Sequence, residues 1–321
     1  MANSGAKIVF GTAAIASFET ETSKQMLEIC EKHGVKELDT AFIYGGSEVA
    51  LNKLGATKKF IIQTKAPLGN KLTKETVLDG MKTSLENLGM DKVDIYYLHS
   101  PDPTTPIEET LSAIQELYAA GKFERFGLSN FRTEDVQKIY DIQAAAGSVL
   151  PSVFQGNYNA VSRHIEEDLF PLLHKLKISF YAYSPIAGGF LVKNSAQLRV
   201  KDDPGRFGTS SRVGEMYTTM YGKESLFQAV DEWADIAKDA GISKAALAYR
   251  WITYHSALKK ANGDAVIVGA SKAAQLEETL KAVEDGPLED SIAKRASGIW
   301  AKVKDEAPLD NYHSFMAKKP L

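Results

Sequence analysis

Short apolar runs bounded by turn residues alternate along the chain with longer segments whose apolar residues recur at three- and four-residue spacing. The short runs read as strands buried on both faces, and the long segments as helices with one apolar stripe. The pattern predicts strands at Lys7–Gly11, Val35–Asp39, Phe60–Lys65, Val93–His99, Arg125–Asn130, Ser152–Gly156, Ser179–Tyr183 and Ala265–Gly269. Helices are predicted at Thr22–His33, Ser47–Leu54 and Thr73–Leu88, the last closed by Gly89. Another enters through a capping box at Thr105-Pro106-Ile107-Glu108, with proline in the first helical position. Glu134–Ala145 follows, then Ile165–Leu176, which Pro171 must start late or kink. After the seventh strand, Pro185–Lys223 reads as an unusually long loop. It is a candidate lid, with Gly188, Gly189, Gly205, Gly208 and Gly214 supplying freedom to move. Helical patterns at Ser225–Ala240, Ser243–His255, Ala273–Glu284 and Leu288–Lys304 complete the core before a tail that starts at Ala307.

Eight strand-then-helix units with no internal linker predict an α/β fold closed as a (β/α)8 TIM barrel. It is a single domain over 1–321, with its core from about residue 7 to 306, a tail at 307–321 and its active site at the C-terminal mouth. The competing doubly wound sheet carries G-x-G-x-x-G after its first strand when it binds dinucleotides. Here that turn reads Gly11-Thr12-Ala13-Ala14-Ile15-Ala16.

Composition narrows the function classes. The chain has 321 residues, 44% of them hydrophobic and 25% charged, and a formal net charge of -3 with scattered Lys and Arg, so a nucleic-acid partner is not expected. The single cysteine, Cys30, lies in a helical pattern and is expected in the core, which excludes an internal disulfide and fits a reducing compartment. No run of about 18 apolar residues and no secretory leader pattern is found. The expectation is a cytoplasmic protein with no membrane partner.

The candidate chemistry sits at strand ends. A barrel gathers the C-terminal ends of its strands around one mouth, and there this chain places Asp39, Lys65, His99, Ser129, Asn130, Gln155, Tyr183 and Ser271, with Tyr44 on the turn after Asp39. A phenol near an ammonium is a usable acid, because the positive charge stabilises the phenolate and lowers a pKa that is ~10 unperturbed. Asp39 can hold Lys65 as an ion pair, and a neutral His99 can hydrogen-bond a carbonyl oxygen. With no nucleophile elbow, paired carboxylates or metal-ligand cluster, carbonyl reduction with a cofactor hydride fits better than hydrolysis. One alternative stays open: Lys65 as a Schiff-base amine would make a barrel aldolase or lyase.

Many collinear motifs add to this reading: Asp39-Thr40-Ala41-Phe42-Ile43-Tyr44, Ile62-Gln63-Thr64-Lys65, Asp94-Ile95-Tyr96-Tyr97-Leu98-His99, Gly127-Leu128-Ser129-Asn130, Phe154-Gln155-Gly156-Asn157 and Tyr181-Ala182-Tyr183-Ser184-Pro185 among them. Through these, from about Ile8 to Glu306, the chain resembles the aldo-keto reductase superfamily and, within it, the aflatoxin-aldehyde reductase branch. The resemblance implies NADPH/NADP+ as cofactor and a small-molecule carbonyl substrate. Tyr44 would be the proton donor, Lys65 would lower its pKa, Asp39 would anchor Lys65, and His99 would orient the carbonyl. Ser129, Asn130 and Gln155 would hold the nicotinamide carboxamide, with Tyr183 stacked on the ring. Ser184, Pro185, Ala187, Gly188 and Leu191 would run beside the pyrophosphate. Ser271, Lys272, Gln275, Glu278 and Thr279 match the stretch at the adenosine end. The resemblance also leaves open a nicotinamide-binding regulatory subunit that serves a partner protein, as potassium-channel β-subunits of the same superfamily do, although only a few residues precede Lys7 to form a partner-binding arm. A homodimer and a tail at Asn311–Phe315 walling the substrate pocket are further expectations of the resemblance.

Two departures matter. Thr279 stands where the family commonly has an asparagine on the adenine. The run Glu215–Tyr221 lacks the arginine that pairs with a carboxylate-bearing substrate in one branch, which points to an uncharged or aromatic aldehyde. For a 2′-phosphate, Lys272 and Arg206 are the candidate cations.

Overall fold

The computed structural model describes residues 5–68, 71–200, 206–208 and 211–318. Eight strands, β1 (Lys7–Gly11), β2 (Glu37–Asp39), β3 (Ile61–Lys65), β4 (Val93–Leu98), β5 (Phe123–Ser129), β6 (Pro151–Asn157), β7 (Ser179–Tyr183) and β8 (Ala265–Val268), pair in order, and β8 closes on β1. Every pairing is parallel. The result is the (β/α)8 barrel that the alternation of elements predicts.

Both faces of such strands are buried, which explains their apolar runs. Successive side chains still alternate. Phe10, Leu38, Ile62, Tyr96, Leu98, Phe126, Leu128, Phe154, Phe180, Val266 and Val268 join the core between barrel and helices. Val9, Ile95, Tyr97, Val153, Tyr181, Ala265 and Ile267 form a separate apolar cluster. Its members share the odd-numbered phase with Glu37, Asp39, Gln63, Lys65 and Gln155, so the inner face carries most of the polar residues of the strands. Strand register sets Asp39 opposite Gln63, Lys65 opposite Tyr97 and Ser129 opposite Gln155.

The outer layer comprises α1 (Thr20–Lys32), α2 (Ser47–Lys53), α3 (Lys74–Leu88), α4 (Ile107–Ala119), α5 (Thr133–Ala145), α6 (Leu169–Leu176), α7 (Ser195–Leu198), α8 (Arg212–Tyr221), α9 (Glu224–Asp239), α10 (Lys244–Tyr254), α11 (Ala273–Glu284), α12 (Asp290–Gly298) and α13 (Trp300–Val303). Thr73 caps α3, and Gly89 closes it in the left-handed region. Cys30 is fully buried, and burial pushes its thiol up to about 12. Pro171 takes the third position of a helix that starts late, behind an Asp168 cap.

Two expectations are corrected. The capping box at Thr105–Glu108 does not form: α4 begins at Ile107 with Pro106 outside it and no side-chain cap. Thr105 is buried and bonds Asp102 instead, so its hydroxyl is unavailable. The stretch Pro185–Lys223 is not one loop. It holds a turn of 3-10 helix at Ala187–Val192 together with α7 and α8. Packed rings supply the order that propensity does not: Phe190 stacks on Tyr221 at 5.3 Å, and Phe207 lies 5.6 Å from Tyr217. Two of its glycines serve close approach. A Cβ on Gly188, whose φ is +68°, would lie 2.0 Å from Tyr217, and one on Gly214 would lie 1.6 Å from the carbonyl oxygen of Gly208. Gly205 lies outside the described residues.

Helix α1 docks on α11 through His33. Its Nδ1 lies 2.7 Å from Glu284 and its Nε2 3.3 Å from Glu277. Burial pulls the imidazole pKa down, but the two carboxylates outweigh it and the net shift is upward. The folded state therefore holds this proton more tightly than the unfolded chain. Its stabilisation is complete below the ordinary value of ~6.5 and is lost as pH rises through the folded value. Urea unfolding should show parent stability falling relative to His33→Gln as pH is raised from about 6 to about 8. A pH-independent difference between the two would remove this clamp.

Candidate active site

Strand β2 ends at Asp39, and the chain turns through Tyr44 into α2. Hydroxyls pin that turn to β1. Thr12 Oγ1 donates to the Asp39 carbonyl at 2.9 Å, Thr40 Oγ1 donates to Ser47 Oγ at 2.8 Å, and Ser47 Oγ donates to the Thr12 carbonyl at 3.0 Å. Gly46 enters α2 with φ +82°. Within the turn, the Tyr44 amide donates to the Ala41 carbonyl at 3.0 Å.

Lys65, the last residue of β3, is fully buried. Its three ammonium hydrogens go to Asp39 Oδ1 at 2.7 Å, Asp39 Oδ2 at 2.8 Å and the Thr40 carbonyl at 2.8 Å. Gln155 Nε2 adds a 2.8 Å bond to Asp39 Oδ1. The ammonium lies 5.2 Å from the centroid of the Tyr44 ring. Tyr44 in turn meets His99 edge-on, with centroids 6.0 Å apart. Asp39, Tyr44, Lys65 and His99 thus meet at one spot in the mouth.

Burial pushes the Tyr44 phenol above its ordinary value, Asp39 and Tyr217 act in the same direction, and Arg206 opposes them. Lys65, paired at contact with Asp39, faces Tyr44 across the ring, and burial outweighs the charges around the phenol. Burial lowers the pKa of Lys65, while Asp39 and Glu48 hold it up. Burial and the Lys65 charge hold His99 well below the ordinary imidazole range, so the ring is neutral near pH 7. Its Nδ1 is buried with no hydrogen-bond partner among the described residues. A neutral imidazole of this kind can orient a carbonyl oxygen by hydrogen bonding but does not carry a charge.

A second group lines the mouth beside them. Asn130 Nδ2 donates to the His99 carbonyl at 2.9 Å and to Ser129 Oγ at 3.1 Å, and its Oδ1 accepts from Tyr183 OH at 2.8 Å. The backbone amide of Asn311 donates to the same Tyr183 oxygen at 3.4 Å, which brings the tail to the mouth. Of four non-glycine residues with left-handed φ among the described residues, Asn130 (+61°), Ser184 (+55°) and Ala187 (+52°) follow the ends of β5 and β7. Such backbone is costly and gathers at functional sites. Pro185, Ala187 and Leu191 are buried, so that along Ser184–Leu191 it is chiefly backbone that can face a ligand.

The β8 end is separate. Lys272 stands exposed at the start of α11 with no side-chain cap, and Ser271 Oγ donates to Gln275 Oε1 at 2.8 Å. Glu278 is exposed, and Thr279 is buried. Arg206 is not joined to Lys272 by any described contact. It lies 5.8 Å from the Tyr217 ring centroid, where its charge acts on Tyr44 and Tyr249.

Comparison with known proteins agrees with this architecture. The Aldo/keto reductase family model matches residues 7–301. The chain belongs to the aldo/keto reductase family. Among its relatives, an oxidoreductase named sirO from Leptosphaeria maculans is 41% identical over 316 residues, covering 94% of this chain and 95% of that protein. Aflatoxin B1 aldehyde reductase member 2 of Rattus norvegicus is 38% identical, covering 91% and 83%. Aldo-keto reductase family 7 member A3 of Homo sapiens is 38% identical, covering 90% and 92%. Membership supports an enzyme that reduces carbonyl groups with a nicotinamide cofactor. Among the described residues, no helix is long and apolar enough to cross a membrane.

Strand-end reasoning misses several polar residues of this aldo/keto reductase. Glu48 is buried, and Glu37, Gln63 and Tyr97 are hydrogen-bonded inside the barrel: Gln63 Nε2 donates to Glu37 Oε2 at 2.8 Å, and Tyr97 OH donates to Gln63 Oε1 at 3.1 Å. The available signal was the odd-numbered phase that Glu37 and Gln63 share with Asp39 and Lys65.

Proposed function

We propose that this aldo/keto reductase is an NADPH-dependent reductase of aldehydes or ketones in which Tyr44 donates the proton. The observation that carries the reading is the meeting of the Tyr44 ring with the Lys65 ammonium and the neutral His99 at the barrel mouth. The nicotinamide supplies the hydride when bound. The phenol, held above its ordinary pKa, keeps its proton until negative charge develops on the carbonyl oxygen, and His99 orients that oxygen. The Lys65 charge over the ring face favours the phenolate as the proton leaves. Asp39, fastened by Lys65 and Gln155, keeps the ammonium in place.

The residues fit a dinucleotide. Asn130 and Tyr183 are locked to one another beside the mouth, left-handed backbone follows β7, and Lys272 stands at an uncapped helix start where a 2′-phosphate would find both a cation and free amides. Lys65 as a Schiff-base amine lacks support, because all three of its hydrogens are engaged and no free amine is presented. Exposed Phe42 and Ile43 beside Tyr44 offer an apolar rim, which favours uncharged or aromatic aldehydes.

The test is initial-rate kinetics with both nicotinamides on an aromatic aldehyde. NADPH should be the better cofactor in kcat/KM. Lys272→Ala should raise KM for NADPH about tenfold, as expected for a lost charge-assisted hydrogen bond, and leave NADH unchanged. Equal kcat/KM for NADPH and NADH would end the NADPH assignment.

A further inference from the structure

Helix α2 buries a carboxylate that the reaction described above does not use. Glu48, its second residue, is 3% exposed. Thr64 Oγ1 donates to Glu48 Oε1 at 2.6 Å, and Asn87 Nδ2 donates to Oε2 at 3.2 Å. Both donors are neutral, and no cation makes an ion pair with Glu48 among the described residues. A carboxylate buried among neutral donors alone is an expensive way to fasten a helix, since apolar packing would do so without the desolvation penalty.

Its placement explains the expense. Thr64 immediately precedes Lys65 on β3, and strand alternation puts one on the helix side of the sheet and the other inside the barrel. Glu48 therefore lies behind the strand that carries Lys65, and only Gly45, Gly46 and Ser47 separate it from Tyr44. Asn87, near the end of α3, holds its other oxygen. We propose that Glu48 is a positioning residue for the Tyr44–Lys65 pair: through Thr64 it ties the helix that follows Tyr44 to the strand that carries Lys65, and it sets a carboxylate behind that strand. This rests on the reading of Tyr44 as proton donor.

The charged and titratable groups around Lys65 come from every neighbouring element. Asp39 from β2 is in contact, Tyr44 faces it from the turn, the Tyr97 ring of β4 lies 5.6 Å away, His99 follows β4, and Glu48 stands on α2. Around Glu48 the titratable neighbours are Lys65 and Tyr96. Burial favours the neutral amine, and the two carboxylates oppose it. Removing the charge of Glu48 makes Lys65 release its proton at lower pH. The alkaline limb of the rate profile then moves to lower pH.

The experiment is the pH dependence of kcat at saturating NADPH with an aromatic aldehyde, for the parent, Glu48→Gln, Glu48→Asp, Asn87→Ala and Tyr44→Phe. Glu48→Gln should shift the alkaline limb down by about half a unit to one unit without changing KM for NADPH. Asn87→Ala keeps the charge and should keep the limb. Glu48→Asp keeps the charge but shortens the reach to Thr64, so it should lower kcat several-fold with the limb in place, and it serves if the glutamine variant does not fold. A Glu48→Gln profile that superimposes on the parent's, or an unchanged kcat in Glu48→Asp, overturns the proposal. A Tyr44→Phe variant that keeps turnover would instead overturn the proton-donor reading, which separates the two failures.

Discussion

Tyr44→Phe should lower kcat by about 10²- to 10⁴-fold, the range a positioned general acid supplies, and should leave nicotinamide binding and stability near those of the parent. Only the phenolic hydroxyl is lost. The bonds that shape its turn come from Thr12, Thr40, Ser47 and backbone, none of which touches that hydroxyl. The ring's contacts with Lys65 and His99 persist in phenylalanine. Steady-state rates, together with titration of the nicotinamide by fluorescence, check both halves. Turnover within a few-fold of the parent removes Tyr44 from the proton-donor role. Loss of binding would place the hydroxyl in cofactor recognition instead.

Lys65→Met should be more damaging, because it affects both folding and chemistry. Lys65 and Asp39 have side-chain exposures of 0% and 4% and lie 2.7 Å apart. Removing the ammonium leaves Asp39 a buried anion held only by neutral donors such as Gln155, and breaking a buried pair from one side costs about 3–5 kcal/mol. Denaturant unfolding should show that loss, alongside the absence of measurable turnover. The double variant Asp39→Leu/Lys65→Met discriminates between the two effects. It removes the stranded charge and should recover much of the stability while staying inactive. If the double variant were as unstable as the single one, packing of the lysine stem, rather than the unpaired carboxylate, would be the main cost.

The candidate site was legible to different depths. Asp39, Lys65 and His99 could be placed at one mouth because each ends a strand, or directly follows one, in a chain whose alternation of elements has one natural closure. Tyr44 came with Asp39 on the same turn. Side-chain pairing was not legible: that Gln155 bonds Asp39, or that Tyr183 and Asn130 lock together, depends on strands far apart in the chain being brought into register. The net direction of the Tyr44 pKa, upward through burial, was not legible for the same reason. From the sequence, Lys65 is a charge near a phenol with Asp39 as its anchor, and the depth to which the phenol is buried is not visible. In the barrel burial dominates and raises the phenol in spite of that charge.

Hydrophobic periodicity by itself determined the order of strands and helices, the closed parallel barrel and the end of the barrel at which the polar residues gather, because these follow from local patterning and chain connectivity. Tertiary structure alone decided which polar side chains touch, how the aromatic rings of Phe190, Phe207, Tyr217 and Tyr221 turn an apparent loop into helices, and why a carboxylate such as Glu48 sits behind the wall. Those outcomes depend on desolvation and on contacts between distant segments, and neither is present in the chain until the barrel closes.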